Sequence, residues 1–279
     1  QAISSTAFPV EDLSMANRTA LQTFGRSGNP MFRSKAFAAD ATFRDGPNAG
    51  VAPISDRMSL AGAVNKTGIL LLLCLVTASY VWNRFFETGD PASIMGLVLV
   101  GGIGGFIAAL IAIFKAPAAG VLAPIYALLE GLFLGGISAI FEMQYPGIVI
   151  QAVGLTFGTL AMLLVAYKTG LIKPTENFRL MIFAATGGIA LLYLVSFVMN
   201  MFGSGIGFIH SNGLFGIGFS LFVVAIAALN LVLDFDFIEQ SAEQGAPKYM
   251  EWYGALCLMI TLVWLYLEIL RLLAKLRSR

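Results

Sequence analysis

The sequence predicts an all-α membrane protein with seven spanning helices. Three observations carry that prediction. The chain of 279 residues is 58% hydrophobic and only 12% charged, about half the charged share of a soluble domain. Its mean hydropathy is +0.82. Its apolar residues gather in seven blocks of about twenty, the length a helix needs to cross a bilayer. In lipid each backbone N–H and C=O must be satisfied internally, which leaves helices or closed barrels. The period-two alternation of a barrel strand is absent, so the blocks are read as helices.

Residues 1–60 form a polar tail, rich in Ser, Ala, Asn and Gly, with "GRSGNPMFRSKAF" and "FRDGPNAG". It lacks the charge and apolar pattern of a secretory signal peptide and is expected to be mostly cytoplasmic and extended. Residues 61–279 form the bundle. Its blocks run over 65–85, 93–114, 119–141, 147–167, 179–202, 212–234 and 250–274. Between them lie "ETGDPAS", "KAPAAG", "EMQYPG", "YKTGLIKPTEN", "GSGIGFIHSNG" and "IEQSAEQGAPK". With the N-terminus inside, twelve Lys and Arg fall on inner segments, among them Lys66, Lys115, Lys168, Lys173, Arg179 and Lys248. Five fall outside: Arg84, Arg271, Lys275, Arg277 and Arg279. The positive-inside rule therefore favours a cytoplasmic N-terminus. The basic C-terminus dissents, unless the last block is tilted or re-entrant.

The glycines are read as packing residues. Gly101 and Gly105 form a GxxxG pair, and Gly131, Gly135, Gly187 and Gly188 recur in later blocks. Small residues let membrane helices approach closely, whereas "GGIGGF" has neither the spacing nor the preceding strand of a phosphate loop. The net charge of +1 points to no nucleic-acid partner. Cys74 and Cys257 lie within apolar blocks and are read as small core residues. His210, the single histidine, cannot supply a metal cluster and is read as a loop residue. No cofactor is expected.

Few ionisable residues interrupt the blocks. An acid at the centre of a membrane helix costs about 2.5–3.5 kcal/mol on insertion scales, which makes it a functional hypothesis by default. Glu130 lies near the middle of its block, so it needs either a partner on another helix or a wet cavity. Asp234 and Asp236 close the sixth block, where "DFDFIEQSAEQ" can also be read as the exit to water. Two residues apart on a helix, they point about 200° apart. Glu239 and Glu243 are read as solvated. In the last block Thr261 and Glu268 share a face. Arg271, three residues beyond Glu268, is placed for a local ion pair.

At these residues the chain resembles the Bax inhibitor family, in its bacterial branch. The resemblance rests on "NPMFRSKAF", "NKTGILLLL", "APIYALLEGLFLGGISAIFE" and the run from "ALNLVLDFDFIEQ" to "LYLEILRLLAKL", and it covers nearly the whole chain from about residue 29. It implies seven helices, six of them surrounding the C-terminal one, and a pH-sensitive calcium leak. In such proteins an aspartate of the sixth helix hydrogen-bonds a second in the seventh, and a basic residue after helix two latches the pair. Carried over, the first aspartate falls on Asp234, with Asp236 the other placement. Matching "LYLE" puts the second on Glu268; an ungapped match that aligns the ending at Arg271 puts it on Thr261. The second alignment is preferred, because the first separates the pair by thirty-four residues (234 to 268). The latch falls near Lys115, with Arg271 a further candidate.

The expected function is therefore a pH-sensitive cation leak channel or channel-like transporter in a bacterial inner membrane. Its pH-sensing and ion-pathway candidates are Asp234, Asp236, Thr261, Glu130 and Glu268. Asp234 and Asp236 are also weak calcium-ligand candidates, since calcium prefers several oxygens. Two apposed carboxylates share a proton and titrate as a pair; with Thr261 in place of the second, pH control should be shallower. No enzyme is expected. Asp234 and Asp236 share one helix end without aspartyl-protease contexts, and Ser204 and His210 share one loop. The alternative is a non-conducting regulator that binds a membrane protease or another membrane protein, with the lipid bilayer as the constant partner in both cases.

Overall fold

The computed structural model describes residues 57–202 and 213–278, and its architecture is all-helical. Seven helices follow in order: α1 Leu60–Thr88, α2 Ala92–Phe114, α3 Ala119–Gln144, α4 Ile148–Lys168, α5 Glu176–Met201, α6 Leu214–Glu243 and α7 Met250–Arg277. Each is long and apolar enough to cross a membrane. The single extended feature among the described residues is a bridge between Arg57 and Pro247. Most of the expected tail, together with Ser204 and His210, lies outside the described residues.

Local chemistry sets the helix ends. Ser59 caps α1 by accepting from the Gly62 N–H at 3.0 Å, and Gly89 ends it in the left-handed region (φ 66°), which glycine adopts without a Cβ penalty. Thr175 caps α5 by accepting from Phe178 N–H at 3.3 Å. At the start of α4 the Glu142 carboxylate accepts the backbone N–H groups of Gly147 and, at 3.0 Å, Val149. Glu142 thus supplies negative charge where a helix N-terminus favours it.

Several helices outrun their hydropathic blocks, and the largest overrun at one end is in α6. It runs nine residues beyond the expected end at 234, through "DFDFIEQSAE" to Glu243. That stretch is therefore not the exit loop it resembled. Asp236 and Glu239 find partners on neighbouring helices, so the backbone stays helical where water would otherwise have claimed it. α7 is one unbroken helix whose end meets the α3–α4 turn, where Arg277 donates to the Pro146 carbonyl at 2.7 Å. It does not re-enter. The dissenting basic C-terminus is instead bound into the structure: the buried Lys275 donates to the Gly216 carbonyl at 3.1 Å and to Ser220 Oγ at 2.8 Å.

α7 is the core of the bundle. In its most apolar eighteen residues 61% are buried, against 17–22% in α1, α2, α4 and α5. It packs against α6, α1, α4 and α3 and receives Tyr193 from α5. α2 packs on α3 and, less, on α1. A complete ring of six helices around α7, which would need α2 as well, is not established by this packing.

The glycines divide into two groups. A Cβ on Gly101 would stand 2.5 Å from the Leu129 carbonyl oxygen and 2.7 Å from Phe133 N. One on Gly135 would stand 2.5 Å from the Ala78 carbonyl oxygen, and Gly131 is as tight against Cys74 and Thr77 of α1. These glycines do let α3 approach α1 and α2. Gly187 and Gly188 do not share that role: nothing lies within 4 Å of a Cβ built on either.

Candidate functional site

Asp234 sits where the two most buried helices meet. It is fully buried on α6, facing the turn of α7 that carries Cys257 and Thr261. Neither of its carboxylate oxygens has a hydrogen-bond partner in the protein. Thr261 lies beside it, but the Thr261 hydroxyl donates to the Cys257 carbonyl at 3.2 Å. Hydroxyls inside helices commonly bond the carbonyl one turn back, so the side chain adjacent to the acid leaves it unsatisfied.

Asp236 points elsewhere, as a two-residue step along a helix requires. Its Oδ2 accepts from Arg179 Nη2 of α5 at 2.6 Å, and its Oδ1 accepts from Gln240 at 2.7 Å. One turn on, Glu239 accepts a hydrogen bond from Tyr167 of α4; it is half-buried rather than solvated, whereas Glu243 is exposed. Glu268 is buried and accepts from Arg271 Nη1 at 2.9 and 3.1 Å and from the Tyr193 hydroxyl at 2.9 Å. The i, i+3 pairing expected from spacing is formed, with a tyrosine of α5 added to it.

Glu130 is buried on α3 among Gly105 of α2, Cys74 of α1 and Tyr126. A Cβ on Gly105 would stand 2.9 Å from its Oε2, so the second glycine of the GxxxG pair makes room for a carboxylate. Lys115 is exposed at the end of α2, and no side-chain bond joins it to Asp234 or Asp236. The basic group against Asp236 is Arg179.

The candidate acids therefore do not converge. Asp234 faces α7, Asp236 faces α5, and Glu130 faces α1 and α2. Among the described residues no group of three or more His, Cys, Asp or Glu side chains is placed to hold a metal ion.

One cluster escaped the sequence reading. Glu251, buried at the start of α7, forms an ion pair with Lys66 of α1 and accepts from Ser59 N at 2.9 Å and Ser59 Oγ at 3.0 Å. The adjacent Met58 N–H donates to the Ala246 carbonyl at 2.7 Å. The signal was available in "NKTG" and "KYMEWY": one basic and one acidic residue, each just inside a block. Asn230, which donates to Thr186 of α5 at 2.8 Å, was also passed over, because a neutral amide carries no charge to flag it.

Seven helices, each long and apolar enough to cross a membrane, define an integral membrane protein of the helical-bundle class. Residues 29–278 match the family described as Bax inhibitor 1 like, and the chain belongs to that family. No curated protein and no solved structure gave a significant match.

Proposed function

We propose that this protein is a pH-responsive cation leak pathway, not an enzyme, with calcium as the first candidate ion and Asp234 as the principal titrating group. The observation that carries the reading is the state of Asp234: fully buried between α6 and α7, with both oxygens lacking a protein partner. A buried ionised carboxylate without compensation is costly, and such a group exchanges a proton or admits water instead. Its burial against the central helix couples that exchange to how α6 and α7 pack. Asp236 and Glu268 already have cationic partners and are less suited to the task.

The test is calcium flux into vesicles containing the purified protein, measured from pH 5 to 8. Asp234→Asn is expected to remove most of the pH response, Thr261→Asp to steepen it, and Glu268→Gln to matter less than either. A loss of pH control in Glu268→Gln with normal control in Asp234→Asn would overturn the placement. Glu130→Gln should fold normally and change flux or its pH dependence; an unchanged profile would leave Glu130 a structural residue. Absence of flux from well-folded protein would favour the regulator that binds a membrane protease or other membrane protein.

The reading also proposes a bacterial inner membrane with the N-terminus in the cytoplasm, which puts the 168–179 connection inside. A cysteine at position 170 should resist an impermeant thiol reagent applied to intact cells; labelling there would reverse the orientation.

A further inference from the structure

α5 is attached to the rest of the bundle unlike any other helix. Its polar residues Arg179, Thr186 and Tyr193 recur every seven positions, two turns apart and so on one face. Each bonds a different level of the neighbouring wall: Arg179 to Asp236, Thr186 to Asn230, and Tyr193 to Glu268. The result is a polar seam running most of the length of α5 where it meets α6 and α7. Its apolar support is a small cluster, with Ile182 and Ile189 against Val223, Ile226 and Leu233, separate from the main core around α7. The hold at Arg179 is incomplete, because its buried Nε–H has no partner and the guanidinium engages Asp236 through Nη2 alone. A bidentate fork would grip harder.

Next to Thr186 stand Gly187 and Gly188. Both are exposed, and neither has any neighbour within 4 Å of its absent Cβ. Close helix packing, the usual reason for glycine in a membrane helix, does not explain them. Glycine in a helix interior is otherwise a cost, and glycine pairs are among the few places where helices bend sharply.

We propose that α5 is the moving wall of the ion pathway, bending at Gly187–Gly188 to open the polar seam it makes with α6 and α7. The proposal rests on the cation-pathway reading above. Its charge arrangement suits a cation: the acids Asp234, Asp236 and Glu268 belong to α6 and α7, while the guanidinium that covers Asp236 belongs to α5. When α5 bows outward at the glycine pair, Thr186 parts from Asn230 and draws Arg179 and the Tyr193 hydroxyl off their carboxylates, and the wall left behind carries Asp236 and Glu268. Arg271 stays beside Glu268 on α7.

Two variants test this in the full-length protein, using calcium flux into vesicles. Gly187→Ala/Gly188→Ala meets open space on both sides and should fold normally, stiffen α5 and lower flux several-fold at every pH. Unchanged flux in that variant would overturn the bend. Thr186→Cys/Asn230→Cys replaces a hydrogen-bonded pair; Cys74 and Cys257 are buried and neither forms a disulfide. Oxidation of the new pair should reduce flux to that of protein-free vesicles, and a reductant should restore it. A cross-link verified by mass that leaves flux intact would overturn the moving wall. If the double-cysteine protein does not fold, the glycine variant decides by itself. Loss of all flux in the parent protein would sink the pathway reading and this proposal together, whereas a conducting parent with insensitive variants would sink only this one.

Discussion

Helices α1, α2 and α3 meet through glycines, whereas α5 meets α6 and α7 through hydrogen-bonded polar side chains. In the first region Gly101, Gly131 and Gly135 let backbones touch, and the attraction is van der Waals contact that has no alternative arrangement of equal quality. In the second, Arg179–Asp236, Asn230–Thr186 and Tyr193–Glu268 hold the helices at intervals. Polar partners of this kind can be exchanged for water or for one another, since interhelical hydrogen bonds in membranes are worth little net energy. On the proposal that α5 moves, the glycine side is the frame and the polar side the part that changes.

The joint between them should show the largest stability effect. Lys66→Met leaves Glu251, buried at the α1–α7 contact, with only its Ser59 bonds. Breaking one partner of a buried pair costs about 3–5 kcal/mol, and thermal unfolding in detergent should show a correspondingly large fall in Tm. A fall no larger than that of a surface substitution would mean that water reaches Glu251.

Next comes the frame itself. Gly135→Ala places a methyl 2.5 Å from the Ala78 carbonyl oxygen, forcing α1 and α3 apart at a cost of about 1–3 kcal/mol. The same substitution at Gly187 meets nothing and should stabilise the folded protein by about 0.5–1 kcal/mol through helix propensity. Opposite signs for one chemical change would sharpen the contrast; equal losses would erase it.

The smallest effect is expected in the seam. Thr186→Val removes the acceptor of the Asn230 bond and should cost about 0.6 kcal/mol, the average for such bonds in a membrane. A loss of several kcal/mol would show the seam to be as rigid as the frame.

The seven helices and the membrane class were legible from the sequence because helix formation in lipid is a local matter. Twenty apolar residues must satisfy their own backbone, and no distant partner is consulted. The divergence of Asp234 from Asp236 was legible too, as helical geometry, and so was the Glu268–Arg271 pair at i, i+3. What each polar group meets across the bundle was not. Asp236 finds Arg179 fifty-seven positions away, Glu251 finds Lys66 at a separation of 185, and those meetings keep α6 helical through residues that look like a loop. Gly135 and Gly187 stand in similar apolar surroundings in the sequence, yet one touches a neighbouring backbone and the other touches nothing. Helix against helix is decided only when the whole chain has packed, because one helix position says which face a side chain takes and not what stands opposite it. Asp234 shows both halves of this: its sequence neighbours place an acid in a membrane helix, and only the packing of α6 on α7 leaves that acid without a partner.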